Sequence, residues 1–257
     1  MRDLTRRQFL GLAAGSLGAS LLSRPAFSQD MGTPVELAQA MVKGSQWLPR
    51  PSALRRLSWE IHKRTAIHIG LEPPVVHLRL EDLSRTPFLY LAGDRPFNLP
   101  ERKSLEGLAR FLKYGGFLLM DTAYTAEGDP EGFKRSARHM MNTLSLGTSL
   151  KPLPKDHVLY RTFYIVSRPV GRVEGPDHLE SITIDGREAV ILSDHDLGGA
   201  WAKDNFGNWE YEVTPGGQRQ REIAFRLGIN IVMYSLCLDY KDEKPHQKWR
   251  ESVGRKG

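Results

Sequence analysis

Two uninterrupted apolar segments constrain the fold of this chain more than any other feature. They are Pro87–Ala92 and Phe117–Met120. Short apolar runs of this kind are typical of parallel strands that are buried on both faces. An amphipathic helix is predicted between them, from Pro100 to the Gly115–Gly116 pair. Strand, helix and strand in this order indicate a right-handed βαβ unit, and therefore an α/β fold.

Two helices are predicted before these strands. Thr33 can cap and Pro34 can open a first helix that runs through Val42. Ser52 can cap a second helix, Ala53–Arg64. Apolar residues of the second helix recur at spacings of three and four, which is typical of a single buried face.

Later segments complete the pattern. Helices are predicted at about Glu131–Leu144 and Arg219–Leu238, and a strand in the second half of Asp156–Val166. Asp185-Gly186-Arg187 lies between two short apolar runs and predicts a hairpin. The loop Ser193–Gln218 is long for a compact domain, and its aromatic residues argue against disorder.

The N-terminus resembles a bacterial twin-arginine export signal. Thr5–Gly11 holds the arginine pair, and a short, glycine-rich apolar run follows it. Small residues before Gln29 predict cleavage near Ser28. That pathway carries folded proteins, so a periplasmic location is expected. Because the run is too short for a span of about 20 residues, no stable transmembrane anchor is expected.

Charge and cysteine content narrow the function classes. The formal net charge is +6, and the four arginines and one aspartate of the predicted leader account for half of it. The remaining charge is too small to indicate a nucleic-acid partner or an anionic membrane surface. The single cysteine, Cys237, cannot form an intramolecular disulfide, and its apolar surroundings in sequence predict a buried small side chain.

The central segments resemble a bacterial family known as a domain of unknown function. The resemblance rests on Phe88–Asp94, Leu105–Leu112, Gly115–Asp121, His157, Tyr160, Tyr164, Ser193–Trp201 and Arg221–Tyr240. That family is related in fold to the class I glutamine amidotransferases and the trehalose-utilisation proteins. The resemblance implies a three-layer α/β sandwich with a mainly parallel sheet, class I glutamine amidotransferase-like (flavodoxin-like).

The resemblance also suggests how the chain is divided. The expected parts are a signal peptide (1–28), an N-terminal helical extension (29–51), the amidotransferase-like α/β domain (52–242) and a charged C-terminal tail (243–257). Such relatives are expected to carry a nucleophilic cysteine at the elbow after the strand that follows Gly115–Gly116. Here that position reads Met120-Asp121-Thr122, so the thiol mechanism does not transfer.

Polar residues at the predicted strand ends form a candidate site. Asp94 and Asp121 follow consecutive strands, and ligands of open α/β sheets bind at that edge. The two carboxylates could hold a divalent cation or divide acid and base roles. Alternatively, each carboxylate caps a neighbouring helix or turn.

A third strand end carries Asp194, His195 and Asp196. Backbone alternation predicts that His195 faces one way and the two aspartates the other. His195 and Asp196 are candidate ligand-binding residues, and a hydrogen-bonded loop anchor is the alternative. The spacing does not predict a metal site.

The long loop adds Trp201, Asn205 and Trp209 as candidate ligand-binding residues. Indole faces beside amide and carboxylate groups suit sugar rings, which stack through their apolar face and bond through their hydroxyls. The same loop could instead be a lid whose indoles are buried for stability.

Together these features predict an exported binding or accessory protein of the cell envelope. Its ligand would be a small molecule or a glycan, and an envelope protein is a further candidate partner. The alternative is a hydrolase in which Asp94, Asp121 and His195 are catalytic, with a metal or an activated water. The chain contains no nucleotide-binding motif, and its sequence identifies no cofactor.

Overall fold

A seven-stranded sheet forms the centre of the computed structural model, which describes residues 33–43 and 47–237. The predicted signal peptide, the predicted tail and the Cys237 side chain lie outside the described part. The strands are β1 (Leu37–Met41), β2 (Val75–His77), β3 (Phe88–Gly93), β4 (Phe117–Thr122), β5 (Lys151–Pro152), β6 (Glu180–Ile184) and β7 (Arg187–Ser193). The α-helices are α1 (Ala53–Arg64), α2 (Leu80–Leu83), α3 (Arg102–Lys113), α4 (Pro130–Thr143), α5 (Leu197–Trp201) and α6 (Gly217–Cys237).

The sheet is mainly parallel. Its order is β2-β1-β3-β4-β7-β6-β5, and every pair from β2 to β7 in this order is parallel. The β6–β7 hairpin and the short β5 add the antiparallel edge. β3 and β4 are buried along their whole lengths and pair from Phe88 opposite Phe117 to Gly93 opposite Thr122. The predicted βαβ unit is therefore confirmed.

Helices cover both faces of the sheet, because alternate residues of each strand point to opposite sides. On one face α1, α5 and α6 pack on the apolar cluster that contains Phe88, Tyr90, Phe117, Leu119 and Ile191. On the other face α3 and α4 pack on the cluster that contains Leu89, Leu91, Leu118, Met120 and Val190. The fold is thus α/β, consistent with a three-layer sandwich, and its likeness to the amidotransferases stays a prediction. No helix in the described residues combines the length and apolar character that a membrane span requires.

The segment predicted as the first helix is a strand. β1 lies between β2 and β3 and pairs with both, so the helix predicted from Pro34 to Val42 is wrong. Leu37, Ala38 and Ala40 are fully buried. Leucine and alanine favour helices in isolation, but here pairing on both sides satisfies the backbone and burial overrides propensity. The segment predicted as an N-terminal helical extension therefore contributes a strand to the sheet.

The strand predicted near residues 162–166 is also wrong. A 3₁₀ helix, Val158–Arg161, takes the first part of this segment. The side-chain oxygen of Asn230 then accepts hydrogen bonds from the backbone N–H groups of Phe163 and Tyr164, at 3.1 and 2.8 Å. These bonds replace the ladder that a strand would need, and a contact to a residue so far along the chain has no local signature.

The other predicted elements are confirmed. The helices expected at Ala53–Arg64 and after Glu131 correspond to α1 and α4, and the last predicted helix corresponds to α6. The hairpin turn has Asp185 and Gly186 at positive φ, as a two-residue loop requires. Within the long loop, a short helix, α5, follows the Asp194-His195-Asp196 sequence.

Candidate functional site

Asp196 is the centre of a buried turn after β7. Its backbone is left-handed, with φ 52° and ψ 56°, and its carboxylate accepts a hydrogen bond from the N–H of Gly199 at 3.0 Å. Arg50 donates to both carboxylate oxygens, from Nε at 3.0 Å and from Nη2 at 2.6 Å. Arg172 adds a third donor through Nε at 2.5 Å. This turn is therefore held by two cations on one fully buried carboxylate.

Arg50 connects this turn to two other parts of the chain. Its Nη2 donates to the carbonyl oxygen of Tyr124 at 2.9 Å, and Arg172 donates to the same oxygen at 2.7 Å. The Tyr211 ring lies 4.0 Å from the guanidinium carbon of Arg50. Burial alone would lower the pKa of Arg50, but the hydrogen bond and charge of Asp196 outweigh it and raise that pKa above its ordinary value. Arg50 is therefore a permanent buried cation that joins the segments after β4 and β7.

Asp121, at the end of β4, caps α5 from a distant part of the chain. Its carboxylate accepts hydrogen bonds from the backbone N–H groups of Leu197 at 3.0 Å and Gly198 at 2.8 Å. The Tyr90 hydroxyl donates a third, at 2.9 Å. Burial and then the negative charge of Asp196 raise the pKa of Asp121 to about 7, against the opposing effect of these three donors. Asp121 thus occupies the backbone amides at which a ligand anion could otherwise bind.

Asp94, at the end of β3, holds a different loop. Its carboxylate accepts hydrogen bonds from the Thr125 hydroxyl at 2.6 Å and from Arg95 at 3.0 Å, and its carbonyl oxygen accepts from the Asp129 N–H at 2.7 Å. Burial opposes ionisation, but the bonds from Arg95 and Thr125 outweigh it and lower the pKa of Asp94. Asp94 therefore ties β3 to the loop between β4 and α4.

His195 faces away from its two neighbouring aspartates, as predicted. Its Nε2 donates to the carbonyl oxygen of Pro176 at 2.8 Å, which requires the proton on Nε2 because a carbonyl only accepts. Burial lowers the pKa of His195 and so favours the neutral imidazole, with its proton on Nε2. On the other side, the Tyr124 hydroxyl donates to Asp194 at 2.6 Å while the Tyr124 N–H donates to Asp196 at 3.3 Å.

The structure therefore brings together Asp121 and Asp196, through the first turn of α5, and places Asp94 and His195 in separate networks. No hydrogen bond between described residues connects Asp94 or His195 to Asp121. Within the same described ranges, no three His, Cys, Asp or Glu side chains group closely enough to hold a metal ion.

Two residues of this network, Arg50 and Arg172, were not predicted from the sequence. Their partner Asp196 lies 146 positions from Arg50, and nothing in the local sequence indicates that either arginine approaches it. The sequence carries only a weak, compositional signal for these two arginines. A turn rich in acidic residues at a buried strand end needs cations or N–H donors nearby.

The aromatic candidates lie at different depths. Trp201 is fully buried, packs on Tyr90 with ring centroids 5.9 Å apart, and donates from Nε1 to the Ala224 carbonyl at 3.0 Å. Trp209 is half-buried, and cations lie over its ring, with Arg221 at 4.2 Å and Lys203 at 4.7 Å. Trp201 presents no ring face to solvent. Its position agrees with the alternative in which the long loop is a lid whose indoles are buried for stability.

Asn205 lies on a surface groove at the N-terminal half of α1. We call it the α1 groove. It has two overlapping lobes of about 430 and 390 Å³, and both are lined by Ser52, Arg55, Glu72, Lys203, Asp204 and Asn205. Trp59 and Leu71 line one lobe, and Val75 lines the other.

A small hairpin builds one wall of the α1 groove. Lys203 and Trp209 form an antiparallel bridge, and the Asp204 carboxylate accepts hydrogen bonds from the backbone N–H groups of Phe206 at 2.9 Å and Asn208 at 2.7 Å. These backbone bonds, led by those from Asn208, lower the pKa of Asp204. The hairpin thereby presents Asn205 at a fixed position beside α1, where its Oδ1 accepts a hydrogen bond from Arg55 at 2.8 Å.

These observations define the class of the protein as an α/β domain whose strand-end carboxylates serve internal hydrogen bonds. The family model of the Domain of unknown function (DUF4159) matches residues 36–236. The chain belongs to this family, and the predicted resemblance to a domain of unknown function is confirmed. No curated protein matches the chain.

Asp121→Asn tests the protonation of the α5 cap. A folded-state pKa raised from 3.8 to about 7 stabilises the fold below pH 4, and this contribution is lost as the pH rises to about 7. Asparagine does not titrate. Relative to the wild type, the variant should therefore gain on the order of 1 kcal/mol in unfolding free energy per pH unit between pH 4 and 7. Urea unfolding across this range measures the difference.

The control is Asp185→Asn in the exposed hairpin turn, where asparagine tolerates the positive φ. Its unfolding free energy should follow the wild-type pH dependence. Parallel curves for Asp121→Asn and the wild type would show that the carboxylate does not carry the raised pKa.

Proposed function

We propose that this protein is an exported binding protein of the cell envelope, and that its α1 groove holds a saccharide. The observation that carries the proposal is the composition of that groove, where exposed apolar side chains lie beside polar groups of balanced charge. The size of each lobe falls in the range of about 300–1,000 Å³ that is common for small-molecule sites.

Charge balance favours a neutral ligand. Three cations and three carboxylates line the groove: Arg55, Arg56, Lys203, Glu72, Asp204 and Glu210. A strong anion or cation would meet equal numbers of like and opposite charges there. A polyhydroxyl ligand can instead use both signs, because each hydroxyl donates and accepts.

Trp59 supplies the aromatic surface that stacking on a sugar needs. Its side chain is 38% exposed, and Arg56 approaches its ring at 4.1 Å. Lys63, an exposed residue, lies 5.0 Å from the ring centroid and can move aside for a ligand. Trp59 therefore takes the role that the sequence suggested for Trp201 and Trp209, while Asn205 keeps its proposed role.

Export is supported by the Arg6–Arg7 pair and by the small residues before Gln29. The first described strand begins at Leu37, after this signal. The family match likewise begins at residue 36, so the proposed leader lies outside the matched domain.

The hydrolase alternative would place catalysis at Asp94, Asp121 and His195. One property favours it: a pKa of about 7 would allow Asp121 to exchange protons near neutral pH. Against it, Asp121 and His195 are fully buried, and their hydrogen-bonding atoms are already occupied by the chain. The observations therefore support binding over hydrolysis.

Calorimetric titration with a saccharide panel tests the binding proposal. The panel contains muramidase-released peptidoglycan fragments and neutral oligosaccharides. At least one should bind the wild type saturably, and Trp59→Ala should raise its Kd about fivefold to tenfold, as expected for the loss of one stacking contact. Asn205→Ala should weaken binding less.

Tyr114→Ala is the matched control, since this exposed aromatic residue follows α3 and does not line the α1 groove. Its Kd should equal that of the wild type. Absence of binding across the panel, or equal Kd values for the Trp59 and Tyr114 variants, would contradict the proposal. Release of new reducing ends from the panel would favour the hydrolase alternative.

Replacing the arginine pair tests export. The double variant Arg6→Lys and Arg7→Lys should accumulate in the cytoplasm with its leader intact, because the pathway reads that pair. Arg24→Lys keeps the same change of residue type outside the pair and should be exported normally. N-terminal sequencing of periplasmic protein should begin at Gln29. Export of the double variant at the wild-type level would contradict a twin-arginine signal.

A further inference from the structure

The order of the strands creates a topological switch point between β1 and β3. From β1 the chain crosses through α1 to β2 on one side, and from β3 it crosses through α3 to β4 on the other. Since both crossovers join parallel strands, α1 and α3 lie on opposite faces of the sheet, as the two core clusters show. In open α/β sheets a crevice forms outside the carboxyl ends of the strands at such a point.

A cavity of about 170 Å³ lies at this edge of the sheet, and we call it the switch-point crevice. It is lined by Met41, Val42, Lys43, His77, Leu78, Arg79, Asn98, Leu99, Pro100, Glu101 and Ser104. These residues come from the ends of β1 and β2, from the loop between β3 and α3 and, in the case of Ser104, from the first turn of α3. The Asn98 N–H donates to the Lys43 carbonyl at 3.2 Å, which fastens that loop to the end of β1. The crevice shares no lining residue with the two lobes of the α1 groove.

The crevice has an excess of positive charge. Lys43 and Arg79 line it, against the single carboxylate of Glu101, and the imidazole of His77 completes the polar lining at the end of β2. Met41 of β1 pairs with His77 of β2. Lys43 and Arg79 each lie two residues beyond this pair, at the ends of the two strands. Lys43 and Arg79 are exposed, and neither forms a salt bridge with any residue in the described part of the chain. Two cations at one strand edge that form no salt bridge with a described residue suit an anionic group.

Apart from Asn98 and Ser104, the remaining lining is apolar. Val42 and Leu78 are buried there, and Met41, Leu99 and Pro100 complete the apolar part. A cavity of about 150 Å³ in a protein interior accepts a molecule of the size of benzene. The crevice can therefore hold a six-membered ring or a short alkyl chain beside the cations.

The neighbouring surface limits the ligand to one anionic group. A wider groove of about 680 Å³ between α2 and α3 adjoins the crevice and shares Arg79, Glu101 and Ser104 with it. This groove carries four carboxylates against three cations, namely Glu81, Asp82, Glu101, Glu106, Arg79, Lys103 and Arg110. A second phosphate extending into it would meet a net negative charge.

We propose that the switch-point crevice is a second binding site, for a small organic anion with one carboxylate or phosphate and a compact apolar body. Lys43 and Arg79 hold the anionic group. Asn98 and Ser104 supply the polar lining of the crevice, and its apolar wall receives the apolar body of the ligand. The site is independent of the saccharide proposed for the α1 groove.

Phenyl phosphate is the probe that tests this site, since it joins a benzene ring to one phosphate. Its binding to the full-length chain is followed by amide chemical shifts in two-dimensional NMR. Saturable shifts should appear at Val42, Lys43, Leu78 and Asn98. Phenol and inorganic phosphate, which carry each half of the probe alone, should bind at least tenfold more weakly.

Charge-removing variants identify the anion contacts. Lys43→Met and Arg79→Met should each raise the Kd for phenyl phosphate about fivefold or more, since methionine keeps the apolar stem without the charge. Arg102→Met is the matched control, because this cation is 93% exposed on α3 and lines neither cavity. Its Kd should stay within twofold of the wild type, as should that of Trp59→Ala.

Three results would overturn the proposal. The first is saturable binding without shifts in the crevice residues. The second is equal affinity for phenyl phosphate and inorganic phosphate, which would show an adventitious surface anion only. The third is an unchanged Kd in both the Lys43 and Arg79 variants while circular dichroism shows that they fold. Trp59→Ala reports on the α1 groove. A failure of the saccharide proposal can therefore be distinguished from a failure of the proposal for the switch-point crevice.

Discussion

The buried ion pair between Arg50 and Asp196 is the interaction on which this edge of the sheet depends. Asp196 sits in a left-handed turn and needs donors for both carboxylate oxygens, and Arg50 provides them at 3.0 and 2.6 Å. Taking two charges out of water costs several kcal/mol for each ion, so such a pair forms only where further hydrogen bonds complete it. Arg172 and the backbone around Tyr124 supply those bonds. The turn in this way fixes where α5 begins.

The position of α5 determines whether the carboxylates at the strand ends are available to a ligand. Its first N–H groups point at Asp121, which the chain supplies from β4 as its own anion. Asp94 is likewise committed to the loop that follows β4. In an open α/β sheet these are the positions from which ligands are usually bound. Because Asp121 and Asp94 are occupied internally here, the cavities described above lie away from them, in the α1 groove, in the switch-point crevice and in the groove between α2 and α3.

The sequence predicted what local patterns control. β3, α3 and β4 followed from continuous and periodic apolar runs, and the β6–β7 turn followed from its residue types. β1 was missed because its residues favour a helix and only the neighbouring strands make it a strand. The candidate residues Asp121 and Asp196 could be picked as strand-end carboxylates, but not their partners. Arg50 lies 146 positions from Asp196, and no periodicity reports a contact of that separation.

A double-mutant cycle on Arg50 and Asp196 tests the central claim most directly. Arg50→Met and Asp196→Asn are compared singly and together by urea unfolding, and asparagine can keep the left-handed turn. Each single variant removes one half of the buried Arg50–Asp196 pair and leaves the other charge under-compensated, so each should lose about 3–5 kcal/mol of unfolding free energy. The double variant should lose clearly less than their sum, with a coupling of about 1–3 kcal/mol. Additive losses would contradict the claim that this pair holds the turn.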